Sequence, residues 1–177
     1  LLASCQGPIS TIGEPNSTIS VAVLEADRTN YKLREFVQVL ADSAEGYTIE
    51  DILAPAQQAK FQTISGDPFV TTNYQYYWGK IQVENRLPEA GKRVEWVLSL
   101  SSTWTNLDVF TIEKDGSWQL APNGSFTPDY LKEFSPTARG NLVKLSLPPG
   151  EIVTVYFRGI SERKAIIPTF HVFLQPL

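Results

Sequence analysis

The chain has 177 residues, 42% of them hydrophobic and 19% charged, a globular rather than a disordered composition that fits one packed domain. The net charge is -4. Arg86, Lys92 and Arg93 are the nearest approach to a basic patch, and Glu89 and Glu95 dilute it, so neither nucleic acid nor an anionic membrane surface is an expected partner. No run of ~18 apolar residues occurs, so no helix within these residues is expected to span a membrane.

Residues 1–17 are rich in Gly, Pro, Ser and Thr and read as a signal remnant or linker, leaving 18–177 as the folded domain. Within the leader, Leu1-Leu2-Ala3-Ser4-Cys5 looks like the end of a secretory signal. It also resembles a bacterial lipobox, in which the cysteine is lipidated. Cys5 is the only cysteine, so no disulfide forms within the chain and no cysteine metal site is possible.

Beyond the leader the pattern has a period of two. Ile19, Val21 and Val23 alternate with polar or small residues, as do Val37 and Val39. Ile81 and Val83 alternate with Lys80, Gln82 and Glu84, and Val94, Trp96, Leu98 and Leu100 with Arg93, Glu95 and Ser99. The same holds for Val143, Leu145 and Leu147, and for Val153, Val155 and Phe157 against Thr154, Tyr156 and Arg158. Each run predicts a strand with one buried face. Asp115-Gly116 between two such runs predicts a tight hairpin, and Asn123-Gly124 and Pro148-Pro149-Gly150 mark two further turns. One helix is expected, over 47–53, with Thr48 capping its start and Pro55 ending it. The fold predicted is an all-β antiparallel sandwich of roughly eight to ten strands with one short helix. Val21, Val37, Ile81, Trp96, Leu98, Val155 and Phe157 should lie in its core.

Catalytic chemistry is not legible. His171 is the only histidine and sits in a strand apolar on both faces, as a buried core residue would. No Gly-x-Ser-x-Gly, phosphate loop, dinucleotide fingerprint or zinc ligand set accompanies it, so no enzyme, metal or cofactor is expected. What stands out is a set of aromatic and polar residues opposite the apolar faces of two strands. Alternation puts Trp78, Lys80 and Gln82 on one side of the first, and Tyr156 and Arg158 on one side of the second. Should the two strands share a sheet, these five would form an exposed site for a sugar or another small polar ligand. The same residues would equally serve as a covered cation–π pair that binds nothing. Trp104, Trp118 and Tyr130, read as loop residues, form a second aromatic platform.

Several segments are similar to one known family, the DISM extracellular domain of the second type. They are Thr48-Ile49-Glu50-Asp51-Ile52-Leu53 after Asp42, then Phe61, then Tyr76-Tyr77-Trp78-Gly79-Lys80. Later come Glu95-Trp96-Val97-Leu98, Leu107-Asp108-Val109-Phe110-Thr111-Ile112 and Val155-Tyr156-Phe157-Arg158-Gly159-Ile160. The resemblance implies a jelly-roll sandwich like that of carbohydrate-binding modules. It also implies a place outside the bacterial inner membrane, on the periplasmic side, ahead of seven transmembrane helices and an intracellular signalling module. The role implied is sensing of a small, carbohydrate-like ligand. Two other readings stay open from the residues alone: a carbohydrate-binding module of a secreted enzyme, or a structural or adhesive sandwich without a small ligand.

Overall fold

Alternation of side chains decides which face of a strand is buried, and the computed structural model of the chain follows that rule clearly over residues 141–147, whereas residues 77–81 are buried on both faces. It describes residues 20–25, 28, 30–42, 46–64, 75–87, 94–100, 104–134, 140–160 and 172–176. The leader to residue 17 with Cys5, the basic residues Lys92 and Arg93, and His171 lie outside the described residues.

The strands are β1 (Ala22–Leu24), β2 (Tyr31–Lys32), β3 (Gln38–Asp42), β4 (Gln62–Thr63), β5 (Tyr76–Asn85) and β6 (Val94–Leu100), followed by β7 (Asn106–Ile112), β8 (Trp118–Asn123), β9 (Asn141–Leu147), β10 (Ile152–Ile160) and β11 (Val172–Pro176). One sheet runs β4-β3-β5-β10-β7-β8, with β1 also paired to β5; the other runs β2-β11-β6-β9. The long β5 serves two partners on one edge, β3 along residues 76–80 and β1 along 83–85. The sheets close on one core, to which Val39, Ile81, Val83, Val109, Val155 and Phe157 come from the first, and Tyr31, Trp96, Leu98, Val143 and Leu145 from the second. This is the all-β two-sheet sandwich that the alternation predicts.

Four details depart from the expectation. The described residues hold eleven strands, because short edge strands such as β2 and β4 are too brief to show a period. The pairing of β1 with β5 is parallel, a long-range choice that local alternation does not encode. In β1 the buried residues are Ala22 and Leu24, so the face read from Val21 and Val23 is the outer one and both are only partly buried, whereas the other six predicted core residues are buried. Pro55 does not simply end the helix: α1 (Ile49–Leu53) is followed at once by α2 (Pro55–Gln58), with Pro55 in its first turn. Proline is suited to that first turn, where its missing N–H costs nothing. The predicted cap is present as a reciprocal capping box, the Thr48 hydroxyl accepting from Asp51 N–H and the Asp51 carboxylate accepting from Thr48 N–H.

Two glycines inside strands let large rings reach the core. Across the β5–β10 pair, the Phe157 ring lies on Gly79; a Cβ there would stand 2.0 Å from Phe157 Cζ. Likewise Trp104 packs on Gly159, with 2.5 Å left between a Cβ and the indole.

Candidate ligand-binding site

The antiparallel register of β5 and β10 sets Trp78 opposite Arg158, Lys80 opposite Tyr156 and Gln82 opposite Thr154. The five residues singled out in the sequence therefore share one sheet and one outer face. Their neighbours follow from the same register. Leu40 on β3 flanks Trp78, Asp108 on β7 flanks Arg158, and Phe110 flanks Tyr156.

The face is not uniformly open. Helices α1 and α2 and Phe61 lie over its middle, and Ile49, Ile52 and Phe61 pack with Leu40, Trp78, Phe110 and Tyr156 into a second hydrophobic cluster. Trp78 is 1% exposed, so the expectation that its ring stands in water is not met. Its indole stacks on Phe110 at 5.5 Å between centroids, and Phe110 meets Trp118 edge-on at 5.5 Å. The physical reason lies in chain outside both strands: alternation separates two faces, but a helical segment far away in sequence covers the second one.

Lys80 and Tyr156 are buried under that cover and tied to it. Lys80 Nζ donates to Gln58 Oε1 at 2.8 Å, and Tyr156 Oη donates to the same oxygen at 3.0 Å. Burial lowers the Lys80 pKa and raises that of Tyr156, so the amine is held in place against a desolvation cost by one amide oxygen and the nearby rings of Phe61 and Tyr156. Gln82 is partly exposed and donates to Thr154 Oγ1 at 3.2 Å.

The other end of the face is different. Asp42, at the end of β3, is fully buried and collects donors from three directions. Trp78 Nε1 donates at 3.3 Å, Arg158 Nη2 at 3.3 Å, and the backbone N–H of Gly46 at 3.1 Å. The carboxylate thus fixes the indole, the guanidinium and the start of the segment leading to α1 together. Arg158 keeps 24% of its side chain exposed, and its guanidinium lies 4.1 Å from the centroid of the Tyr76 ring. Its Nε–H is buried without an acceptor, so the guanidinium is held but not saturated. Beside it stands Asp108, a register partner that makes no ion pair with Arg158 and, among the described residues, receives no hydrogen bond. Burial raises the Asp108 pKa, and the Arg158 charge partly offsets this. A positioned cation, a neighbouring carboxylate and an aromatic edge can together hold a hydroxyl-bearing molecule.

Asp108 and Tyr76 were missed by sequence reasoning focused on aromatic faces. The signal was there: alternation in Leu107-Asp108-Val109 sets Asp108 outward between two core residues. Of the second aromatic platform, Trp104 is buried in the core, Trp118 belongs to β8 at 38% exposure, and Tyr130 is 85% exposed in a 3-10 turn.

A separate cleft of about 320 Å3 opens between the β7–β8 hairpin and the edge of β9. Its lysines are already matched, Lys114 to Glu151 and Lys144 to Glu95, both at 2.6 Å. Glu113 accepts from Gln119 and Glu133 from the Lys144 backbone. No group of acidic, histidine or cysteine residues suited to a metal ion occurs among the described residues.

Comparison with known proteins gives one family match, to the family described as 7TMR-DISM extracellular 2, over residues 34–172. That span takes in β3 to β10 and every residue of the face described above. No curated protein matches the chain.

Proposed function

Since the chain belongs to the 7TMR-DISM extracellular 2 family, it is a sensor domain on the extracytoplasmic side of a membrane receptor, and we propose that it senses a small carbohydrate-like ligand at the Arg158 end of its outer sheet face. The observation that carries the site is the state of Arg158. Its guanidinium is fixed by buried Asp42 and lies over the Tyr76 ring, yet it remains partly exposed. An arginine held so firmly is pre-organised, so a ligand that meets it loses little side-chain entropy. Trp78, Lys80 and Tyr156 act as the packed floor that holds the arrangement, and Gln82 lies further along the same face. The same hub ties Arg158 through Asp42 to the root of α1, so a ligand drawing on Arg158 bears directly on the segment that covers the face. Binding without chemistry fits the family, whose members act as receptor sensor domains.

The test is calorimetric titration of the domain with a panel of neutral mono- and disaccharides, repeated with Arg158→Gln. At least one sugar should bind wild type, and Arg158→Gln should weaken it by about tenfold or more, the scale of one charged hydrogen bond. Unchanged affinity in Arg158→Gln, with the variant shown to be folded, would remove Arg158 from the site.

A further inference from the structure

We infer that the site selects neutral hydroxyl-bearing ligands and rejects their carboxylate counterparts; the inference rests on the reading of the Arg158 end as the ligand site. An arginine on a sheet face ordinarily suggests an anion. Here two observations cancel that reading. Asp42 is fully buried and bonded to Arg158 Nη2 at 3.3 Å, so the cation is already neutralised from beneath. Asp108 then stands beside it as the register partner on β7, with its carboxylate unbonded among the described residues. The remaining cation of the face, Lys80, is buried and turned to Gln58, and does not add to the field at this end. One cation thus faces two carboxylates. An incoming carboxylate would meet a neutralised guanidinium and a like charge at close range, where repulsion outweighs the single hydrogen bond on offer.

A neutral diol meets the opposite situation. One hydroxyl oxygen accepts from the guanidinium, and the hydroxyl next to it donates to the Asp108 carboxylate. Donor and acceptor stand on adjacent strands with Cβ atoms about 5 Å apart, a spacing that neighbouring hydroxyls of one sugar ring can bridge between longer side chains. The Tyr76 ring, beneath the guanidinium, adds an apolar edge for the sugar C–H groups. Asp108 is the residue that sets the preference; Asp42 sets the geometry.

The experiment uses matched probes: glucose with glucuronate, galactose with galacturonate, and mannose with mannuronate, titrated at one ionic strength. In the pair that binds, the neutral sugar should be at least about tenfold tighter, equivalent to ~1.4 kcal/mol. Asp108→Asn, which keeps shape and removes charge, should narrow that gap to within about threefold. Asp108→Ser serves as a second variant should the asparagine perturb folding, and thermal melts check both. Uronates binding wild type as tightly as the neutral sugars, or a gap unchanged in the Asp108 variants, overturns the inference while leaving the site in place. Failure of every neutral sugar to bind overturns the ligand reading itself, and the inference with it.

Discussion

Asp42 shows how much one residue organises here. It is a buried carboxylate whose cost of desolvation is met by Trp78 Nε1, Arg158 and the backbone near Gly46. Asp42→Ala leaves the buried indole N–H and the guanidinium without an acceptor and should cost about 3 kcal/mol in denaturant unfolding. A loss below about 0.5 kcal/mol would mean that these bonds hold nothing together. Gly79 is a second residue of this kind. Gly79→Ala drives a methyl into the Phe157 ring and should destabilise the domain by about 1–3 kcal/mol, read from the same unfolding curves. Asp108 carries a pH signature. Burial raises its pKa, so the folded chain holds the proton more tightly than the unfolded chain does. Stability contributed by that proton is present at low pH and is lost as pH rises from the ordinary aspartate pKa through the raised one. Asp108→Asn should lack this decline, and a urea-midpoint series across pH compares the two. A wild-type curve that rises relative to the variant over that window contradicts the assignment. At this scale the sequence was only half legible. Trp78 and Arg158 announced themselves by type and alternation, whereas the partners of Arg158 come from positions 42, 76 and 108 and meet it only in the fold.

At the scale of elements, the strands were readable because each has one apolar face. The run in β6 places Trp96 with Leu98 and Leu100, and Trp96 is buried against Tyr31 at 5.9 Å between ring centroids. Trp96→Ala should cost about 3–5 kcal/mol in unfolding; a surface-like change would reverse the facing of β6. The helical cover was less readable. Its cap was visible in Thr48, but nothing local says which sheet face α1 and α2 will lie on. That is settled by Gln58 reaching Lys80 and Tyr156, which lie 22 and 98 positions away in sequence. Gln58→Ala strands a buried amine and a buried phenol at once, and should cost about 2 kcal/mol and raise the exposure of Trp78. Quenching of tryptophan fluorescence by acrylamide checks it, with unchanged quenching counting against a cover held by Gln58.

At the scale of the molecule, two hydrophobic clusters among the described residues share β5 and β10 as a common wall. One fills the sandwich and the other lies beneath α1 and α2. Alternation foretold the first and was silent on the second, because a strand buried on both faces looks half-polar when its outer residues are Lys80, Tyr156 and Arg158. The exposed edges are managed by side chains. Asn123 Nδ2 donates to Leu142 O at 2.9 Å, Glu133 accepts from Lys144 N–H at 2.7 Å, and Pro122 interrupts the donor row of β8. This leaves Arg158 partly exposed beside a covered face, in a domain that stands outside the membrane. Backbone amide NMR of the isotope-labelled domain, titrated with the neutral sugar that binds, tests that placement most directly. Shifts should centre on Tyr76, Asp108 and Arg158 and spread through Asp42 to Gly46 and Tyr47. Shifts centred instead on the cleft of Glu113, Glu133 and Lys144 would contradict the account.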